Sequence, residues 1–197
     1  MSEPATSPLL TDAFEFAEEI HREQRRKKTD APTLSHLMGV AALVMENGGD
    51  EDQAIAALLH DGPEDCGGQV VLDRIRDRFG DRVAAIVEDC TDTLEIPKPP
   101  WEPRKRQYLA HLREVPDETL LVSISDKVHN ARSILEGYRQ EGEAFWSRFT
   151  ATREQTLWYY DTLLEIFQQR RTPQIKGLVL ELERVLESLR SEIHASR

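Results

Sequence analysis

A histidine and an aspartate stand next to each other at the end of an apolar segment, at His60 and Asp61. Gly62-Pro63 follows directly and ends a regular helix, so that both side chains can turn toward one point. An imidazole and a carboxylate that meet in this way suit a divalent cation. The alternative for this dipeptide alone is a histidine at a helix end beside an exposed aspartate.

Two further residues favour a metal site. His36 lies in the first turn of a predicted helix upstream, and Asp126 lies within an apolar helical stretch, where a carboxylate is costly unless it is paired or bound to metal. Two imidazoles and two carboxylates form a mixed nitrogen and oxygen set, which fits Mn²⁺, Fe²⁺ or Zn²⁺ better than Ca²⁺. The sequence therefore predicts a divalent transition-metal site formed by His36, His60, Asp61 and Asp126.

The elements that must position these residues are helices. Apolar residues recur at intervals of three and four along the chain, and the alternation typical of strands is nearly absent. The sequence predicts an all-α fold of about nine helices, with a proline-rich loop over 96–103 and one helix over 145–167. We expect one compact domain over 1–170, and an amphipathic helix in 171–197 that packs on it or lies at an oligomer interface.

Composition narrows the class of protein. The chain has 197 residues, of which 36 are acidic and 25 basic, and its formal net charge of −11 argues against general nucleic-acid binding. No apolar run approaches the roughly 18 residues that cross a bilayer, and no secretory signal pattern is present, so we expect no membrane association. Two cysteines, Cys66 and Cys90, cannot form a disulfide framework, which favours reduced thiols in a cytoplasmic protein.

The four predicted ligands occur in the order H…HD…D, which resembles the signature of the HD phosphohydrolase superfamily. Residues 57–65 resemble the ALLHDxxED segment of the RelA/SpoT-type hydrolase domain, and residues 125–132 resemble its ADRLHNMR segment. Residues 79–92 are similar to the FGxxV…VT stretch of that domain, and residues 21–27 to the opening of the small stand-alone alarmone hydrolases. This resemblance covers roughly residues 10–170 and implies the compact, single-domain HD-domain fold.

The resemblance also implies an activity and a set of site residues. Small alarmone hydrolases use Mn²⁺ to remove the 3′-pyrophosphate from guanosine tetra- or pentaphosphate (ppGpp or pppGpp), which gives GDP or GTP and pyrophosphate. By this resemblance Glu64 and Asp65 are the catalytic acidic pair, whereas an acidic surface loop is their alternative interpretation. Arg26 and Lys27 match the pair that grips the substrate, and Asn130, one helical turn after the predicted aspartate ligand, is placed to hydrogen-bond the nucleotide.

Two positions depart from the family pattern, and they leave alternatives open. Thr33 stands where the family has a tyrosine, and Gly62-Pro63 replaces larger or branched residues between HD and the acidic pair. Nucleotide recognition depends on such neighbours. We therefore expect a small phosphorylated nucleotide as partner, with ppGpp hydrolysis, hydrolysis of another nucleotide or phosphorylated metabolite, and a catalytically idle nucleotide sensor as the hypotheses. A homo-oligomer is a further expectation.

Overall fold

The computed structural model describes residues 7–26 and 30–195. The all-α prediction is confirmed, because these residues form ten α-helices and one 3-10 helix without a β-strand. In chain order the helices are α1 (Pro8–His21), α2 (Thr33–Glu46), α3 (Glu51–Leu59), α4 (Gly62–Cys66), α5 (Gln69–Phe79), α6 (Asp81–Cys90), α7 (Trp101–Leu112), α8 (Asp117–Glu141), the 3-10 helix (Gly142–Arg148), α9 (Arg153–Gln169) and α10 (Lys176–Ala195).

The nine expected helices are present, and the two short elements, α4 and the 3-10 helix, are additional. Helix α7 begins at Trp101, inside the expected proline-rich loop, because Pro103 falls in the first turn, where backbone N–H groups have no partner within the helix. The expected single helix over 145–167 is divided. Its first part is the 3-10 helix, and α9 begins after Thr152, whose side chain accepts a hydrogen bond from the Gln155 N–H in a capping box.

Helix α3 lies at the centre of the molecule. Residues 54–59 are all buried, since α3 packs against α1, α2, α6 and α8. A helix that is apolar on every side has to be enclosed in this way. Its carboxyl end, and with it His60, is therefore held in the interior.

Helix α8 contacts both the central helices and the C-terminal helix α10. Residues 119–126 are buried against α2, α3 and α6, and the same helix packs against α10. The buried apolar residues of α10 are Leu178, Val179, Leu182, Leu186, Leu189 and Ile193. These contacts place the described part of the C-terminal segment on the domain, while the division at residue 170 and the oligomer interface stay predictions. Within 7–26 and 30–195, no helix is both long and apolar enough to span a membrane.

Candidate functional site

Three helices bring the four predicted metal ligands together. The first turn of α2 supplies His36, the residues after α3 supply His60 and Asp61, and the middle of α8 supplies Asp126. The Nε2 atom of His36 lies 3.1 Å from Oδ1 of Asp126 and 3.5 Å from Oδ2 of Asp61. The Nε2 atom of His60 lies 3.2 Å from Oδ1 of Asp61 and 3.6 Å from Oδ1 of Asp126.

The two imidazoles each present an unsatisfied nitrogen to this cluster. The Nδ1–H of His60 donates to the carbonyl oxygen of Ala57 at 2.8 Å, which leaves the lone pair on Nε2. Among the described residues, the buried Nε2 atoms of His36 and His60 have no hydrogen-bond partner. A buried polar atom without a partner is costly, and a cation at this point would satisfy both. The cluster, whose His36, His60 and Asp126 ligand atoms all lie within 4.8 Å of one another, is thus suited to a divalent metal ion.

Electrostatics in the cluster also favour a cation. Burial lowers the pKa of His60, but the Asp61 and Asp126 carboxylates outweigh it and raise this pKa to about 9. Burial raises the pKa of Asp126, yet Lys127 and the imidazoles hold it well below its usual value. The pKa of His36 is lowered, chiefly by burial. A site with two carboxylates therefore attracts positive charge, either a proton or a metal ion.

The acidic pair Glu64 and Asp65 lies directly beyond Asp61. Helix α4 begins at Gly62, and Pro63 occupies its first turn, where the missing N–H needs no partner. A Cβ at Gly62 would approach the Cδ1 atom of Ile20 to 3.0 Å. Gly62-Pro63, which departs from the family pattern, thus begins a compact helical turn that contains both Glu64 and Asp65.

A lysine that the sequence did not single out contacts the acidic pair. The Nζ atom of Lys98 lies 2.9 Å from Oε1 of Glu64 and 2.6 Å from Oδ1 of Asp65. Lys98 belongs to the segment between α6 and α7 and to no recognisable motif. Only the path of that segment brings it to residues more than 30 positions away.

A second cationic cluster adjoins Glu64. The Arg104 guanidinium contacts both Glu64, at 3.3 Å, and the buried carboxylate of Asp92. The Nζ atom of Lys105 also binds Asp92, at 2.7 Å. The neighbouring Arg106 pairs instead with Glu102, outside the site.

Of the predicted substrate contacts, two meet beside the metal cluster. Asn130 donates from Nδ2 to Oδ1 of Asp126, and its own Oδ1 accepts a hydrogen bond from Nη2 of Arg26. Arg26 thus connects to the predicted ligand through one side chain. The other predicted contact, Lys27, lies outside the described residues. Thr33 is buried at the edge of the same cavity.

Asp61, Asp126, the acidic pair, Arg26 and Asn130 border one cavity of about 790 Å³, within the range of small-molecule sites. Its cationic lining residues in the described chain are Arg25, Arg26, Lys98, Arg104, Lys105 and Lys127. Its acidic lining residues are Asp61, Glu64, Asp65 and Asp126. Six positive against four negative charges make this lining positive in a chain whose net charge is −11.

Part of the cavity lining is apolar. Its residues include Trp101, Ile134, Phe149 and Tyr159. The sequence contains no local signal that would place Trp101 and Tyr159 at this cavity. Their rings pack edge to face with centroids 6.0 Å apart. The cavity lining therefore combines charged residues with aromatic residues, which suit a nucleobase.

Comparison with known proteins gives concordant matches. A family model described as HD domain matches residues 13–157. MESH1 of Xenopus tropicalis, named guanosine-3′,5′-bis(diphosphate) 3′-pyrophosphohydrolase, is 37% identical over 129 residues, which cover 64% of this chain and 69% of that protein. The similarly named pyrophosphohydrolase of Aquifex aeolicus is 37% identical over 132 residues, which cover 66% of this chain and 18% of that longer protein.

A solved structure extends the match to almost the whole fold. It is described as a metazoan ortholog of SpoT that hydrolyzes ppGpp, and it superimposes with a TM-score of 0.75 over 95% of this chain and 97% of its own. At 23% identity this likeness concerns the fold, and it confirms the predicted HD-domain architecture. The chain therefore belongs to the HD domain family, and within it to the branch of RelA/SpoT-type domains that includes the MESH1 proteins.

Proposed function

We propose that this chain is a metal-dependent pyrophosphohydrolase that removes the 3′-pyrophosphate of ppGpp and pppGpp. The observation that carries the proposal is the convergence of two buried, partnerless imidazole nitrogens with Asp126 at a cation-lined cavity. The names of the relatives support guanosine tetraphosphate as substrate. The products are GDP or GTP and pyrophosphate.

The metal ligands in this proposal are His36, His60, Asp61 and Asp126. Mn²⁺ is the proposed ion, and Fe²⁺ or Zn²⁺ would suit the same mixed donor set. When bound, such an ion supplies a Lewis acid for phosphoryl oxygen and lowers the pKa of bound water. Burial of His36, His60 and Asp126 supports this ligand set, because buried side chains have little freedom to move away from an ion.

Glu64 and Asp65 are the proposed proton-handling groups. In the hydrolysis, water oxygen bonds to the phosphorus next to the 3′ oxygen, the bond from phosphorus to that oxygen breaks, and the 3′ oxygen gains a proton. One carboxylate accepts the proton of the attacking water and its neighbour orients that water, while the departing 3′ oxygen takes its proton from solvent. Lys98 and Arg104 support this arrangement because Lys98 contacts both carboxylates and Arg104 contacts that of Glu64.

The cationic lining is the proposed binding surface for substrate phosphates. Arg26 and Lys27 would grip the phosphates, since arginine offers a planar fork and lysine a compact charge. Asn130 would contact the nucleotide near the metal. The positive lining also explains how a protein of net charge −11 binds a highly anionic substrate, because the electrostatic field in the cavity depends mainly on the charges that line it.

One assay tests the substrate. Metal-free protein is incubated with Mn²⁺ and a panel of ppGpp, dNTPs, nucleoside monophosphates and phosphorylated dinucleotides, and pyrophosphate and phosphate are measured separately. We expect Mn²⁺-dependent pyrophosphate release from ppGpp. Phosphate release from other members alone would select the alternative phosphohydrolase, and no turnover despite bound metal would select the idle sensor.

The ligand assignment has its own test. Asp126→Ala should abolish Mn²⁺ binding, with Asp73→Ala, an exposed aspartate on α5, as the matched control. Because loss of Asp126 also leaves Lys127 without its partner, Asp61→Ala provides a second variant. Retained Mn²⁺ stoichiometry in either variant would contradict the assignment of that ligand. The cytoplasmic location and the homo-oligomer stay predictions, and light scattering on the full chain measures the second.

A further inference from the structure

His129 lies behind one of the proposed ligands. It projects from α8, and its Nδ1 atom is 2.9 Å from Nδ1 of His36. The two rings meet edge to face with centroids 4.7 Å apart. Two ring nitrogens at this distance share one hydrogen, so one ring donates and the other accepts.

The metal cluster decides which ring donates. The Nε2 atom of His36 faces Asp61 and Asp126, and it can bind a cation only if it carries a lone pair. The hydrogen of His36 must then reside on Nδ1 and be donated to the lone pair of His129. If His129 donated instead, the hydrogen of His36 would occupy Nε2 and block metal binding.

We infer that His129 is a positioning residue that fixes the metal-binding tautomer and ring orientation of His36. The inference rests on the proposed metal site and does not depend on the substrate. Partners of this kind, which hold the second nitrogen of a histidine ligand, typically affect metal affinity about 10- to 100-fold.

Gly39 provides the space that His129 needs. It lies one turn after His36 in α2, and a Cβ there would be 2.3 Å from Nε2 and 2.5 Å from Cδ2 of His129. Glycine is a poor residue for a helix interior, so this close approach accounts for its presence. Any side chain at Gly39 would push the imidazole of His129 and disturb its bond to His36.

The test is a double-mutant cycle read out as Mn²⁺ affinity of the metal-free protein, without nucleotide. His129→Ala should weaken Mn²⁺ binding about 10- to 100-fold, and Gly39→Ala should weaken it to a similar degree. Gly39→Ala should cost nothing further in the His129→Ala background, because the ring it displaces is gone. His129→Asn, which keeps an acceptor near the Nδ1 position, should bind Mn²⁺ more tightly than His129→Ala.

A matched glycine substitution controls for helix effects. A Cβ at Gly177 in α10 would meet Oδ1 of Asn47 at an ordinary 3.8 Å, so Gly177→Ala should leave Mn²⁺ affinity unchanged. Circular dichroism checks that each variant is helical. If His129→Ala fails to fold, nitrogen-15 shifts of the Zn²⁺-loaded wild type report the tautomer directly, and we expect His129 to carry its hydrogen on Nε2.

Wild-type Mn²⁺ affinity in folded His129→Ala would overturn the inference, as would a hydrogen on Nδ1 of His129 in the Zn²⁺-loaded protein. An equal effect of Gly39→Ala with and without the imidazole would do the same. Failure of the proposed function is distinguishable from these results. If the variants change Mn²⁺ affinity as expected but the protein hydrolyses no ppGpp, the inference stands and the proposed function fails. If the protein hydrolyses ppGpp but the variants do not change Mn²⁺ affinity as expected, the proposed function stands and the inference fails.

Discussion

Replacement of Glu64 by glutamine separates proton transfer from metal binding. Glutamine keeps an oxygen that can accept from Lys98 and Arg104, so the contacts of 2.9 and 3.3 Å can persist while the proton acceptor is lost. Glu64 provides none of the three clustered ligand atoms of the metal group. General base catalysis contributes about 100- to 10,000-fold, so Glu64→Gln should lower kcat by that factor, or about 2.7–5.5 kcal/mol of transition-state stabilisation.

The assay is pyrophosphate release from saturating ppGpp at saturating Mn²⁺, with the Mn²⁺ Kd measured on the same preparation. The Kd should stay at the wild-type value. The free energy of unfolding should change by no more than about 1 kcal/mol, because the ion pairs of Glu64 are partly exposed. Glu102→Gln, which removes an exposed pair with Arg106, is the control. A fall in kcat below tenfold, or a loss of Mn²⁺ binding, would refute the role assigned to Glu64.

Two further predictions concern charge in the interior. Because the pKa of His60 in the metal-free protein is raised to about 9, a proton competes with Mn²⁺ below that pH, and apparent affinity should fall about tenfold per pH unit from 8 to 7. Titration calorimetry should show about one proton released per Mn²⁺ bound at pH 7, and an Mn²⁺ affinity independent of pH would contradict this competition. The interactions that raise the pKa of His60 also stabilise the metal-free fold. This contribution is full below about pH 6.5 and is lost as the pH rises through about 9. Asp92→Asn leaves Arg104 and Lys105 without their buried carboxylate, and urea unfolding should show a loss of about 3 kcal/mol, the lower end of the usual range since both cations keep some contact with solvent. A loss below about 1 kcal/mol would show that the two cations find other partners.

The sequence was sufficient to predict the all-α fold and the approach of His36, His60, Asp61 and Asp126 to one another. Helical periodicity depends on local spacing, and burial of one face follows directly from it. Asp126 within an apolar stretch and His60-Asp61 before Gly62-Pro63 are exceptions to that burial pattern. A buried polar or charged side chain without a partner is costly, so these residues indicate that they share one, such as a cation.

The sequence could not predict the contacts made by segments between helices. Lys98 reaches the acidic pair only through the path of its segment, and no spacing rule relates residues so far apart. The pairing of Asp92 with Arg104 has the same origin. Helix α4 was missed for another reason: Gly62-Pro63 reads as a break, yet the same pair is compatible with the first turn of a new helix.

Two of the predicted metal ligands and part of the cavity lining are placed on different kinds of structure. His36 and Asp126 lie in long helices fixed by the core, whereas Arg26, Lys98 and Phe149 lie in segments between helices. Segments of this kind tolerate substitution and insertion far better than packed helices. Substitutions in these segments can therefore change the contacts that line the cavity while His36 and Asp126 keep their positions, which suits this architecture to the recognition of different ligands.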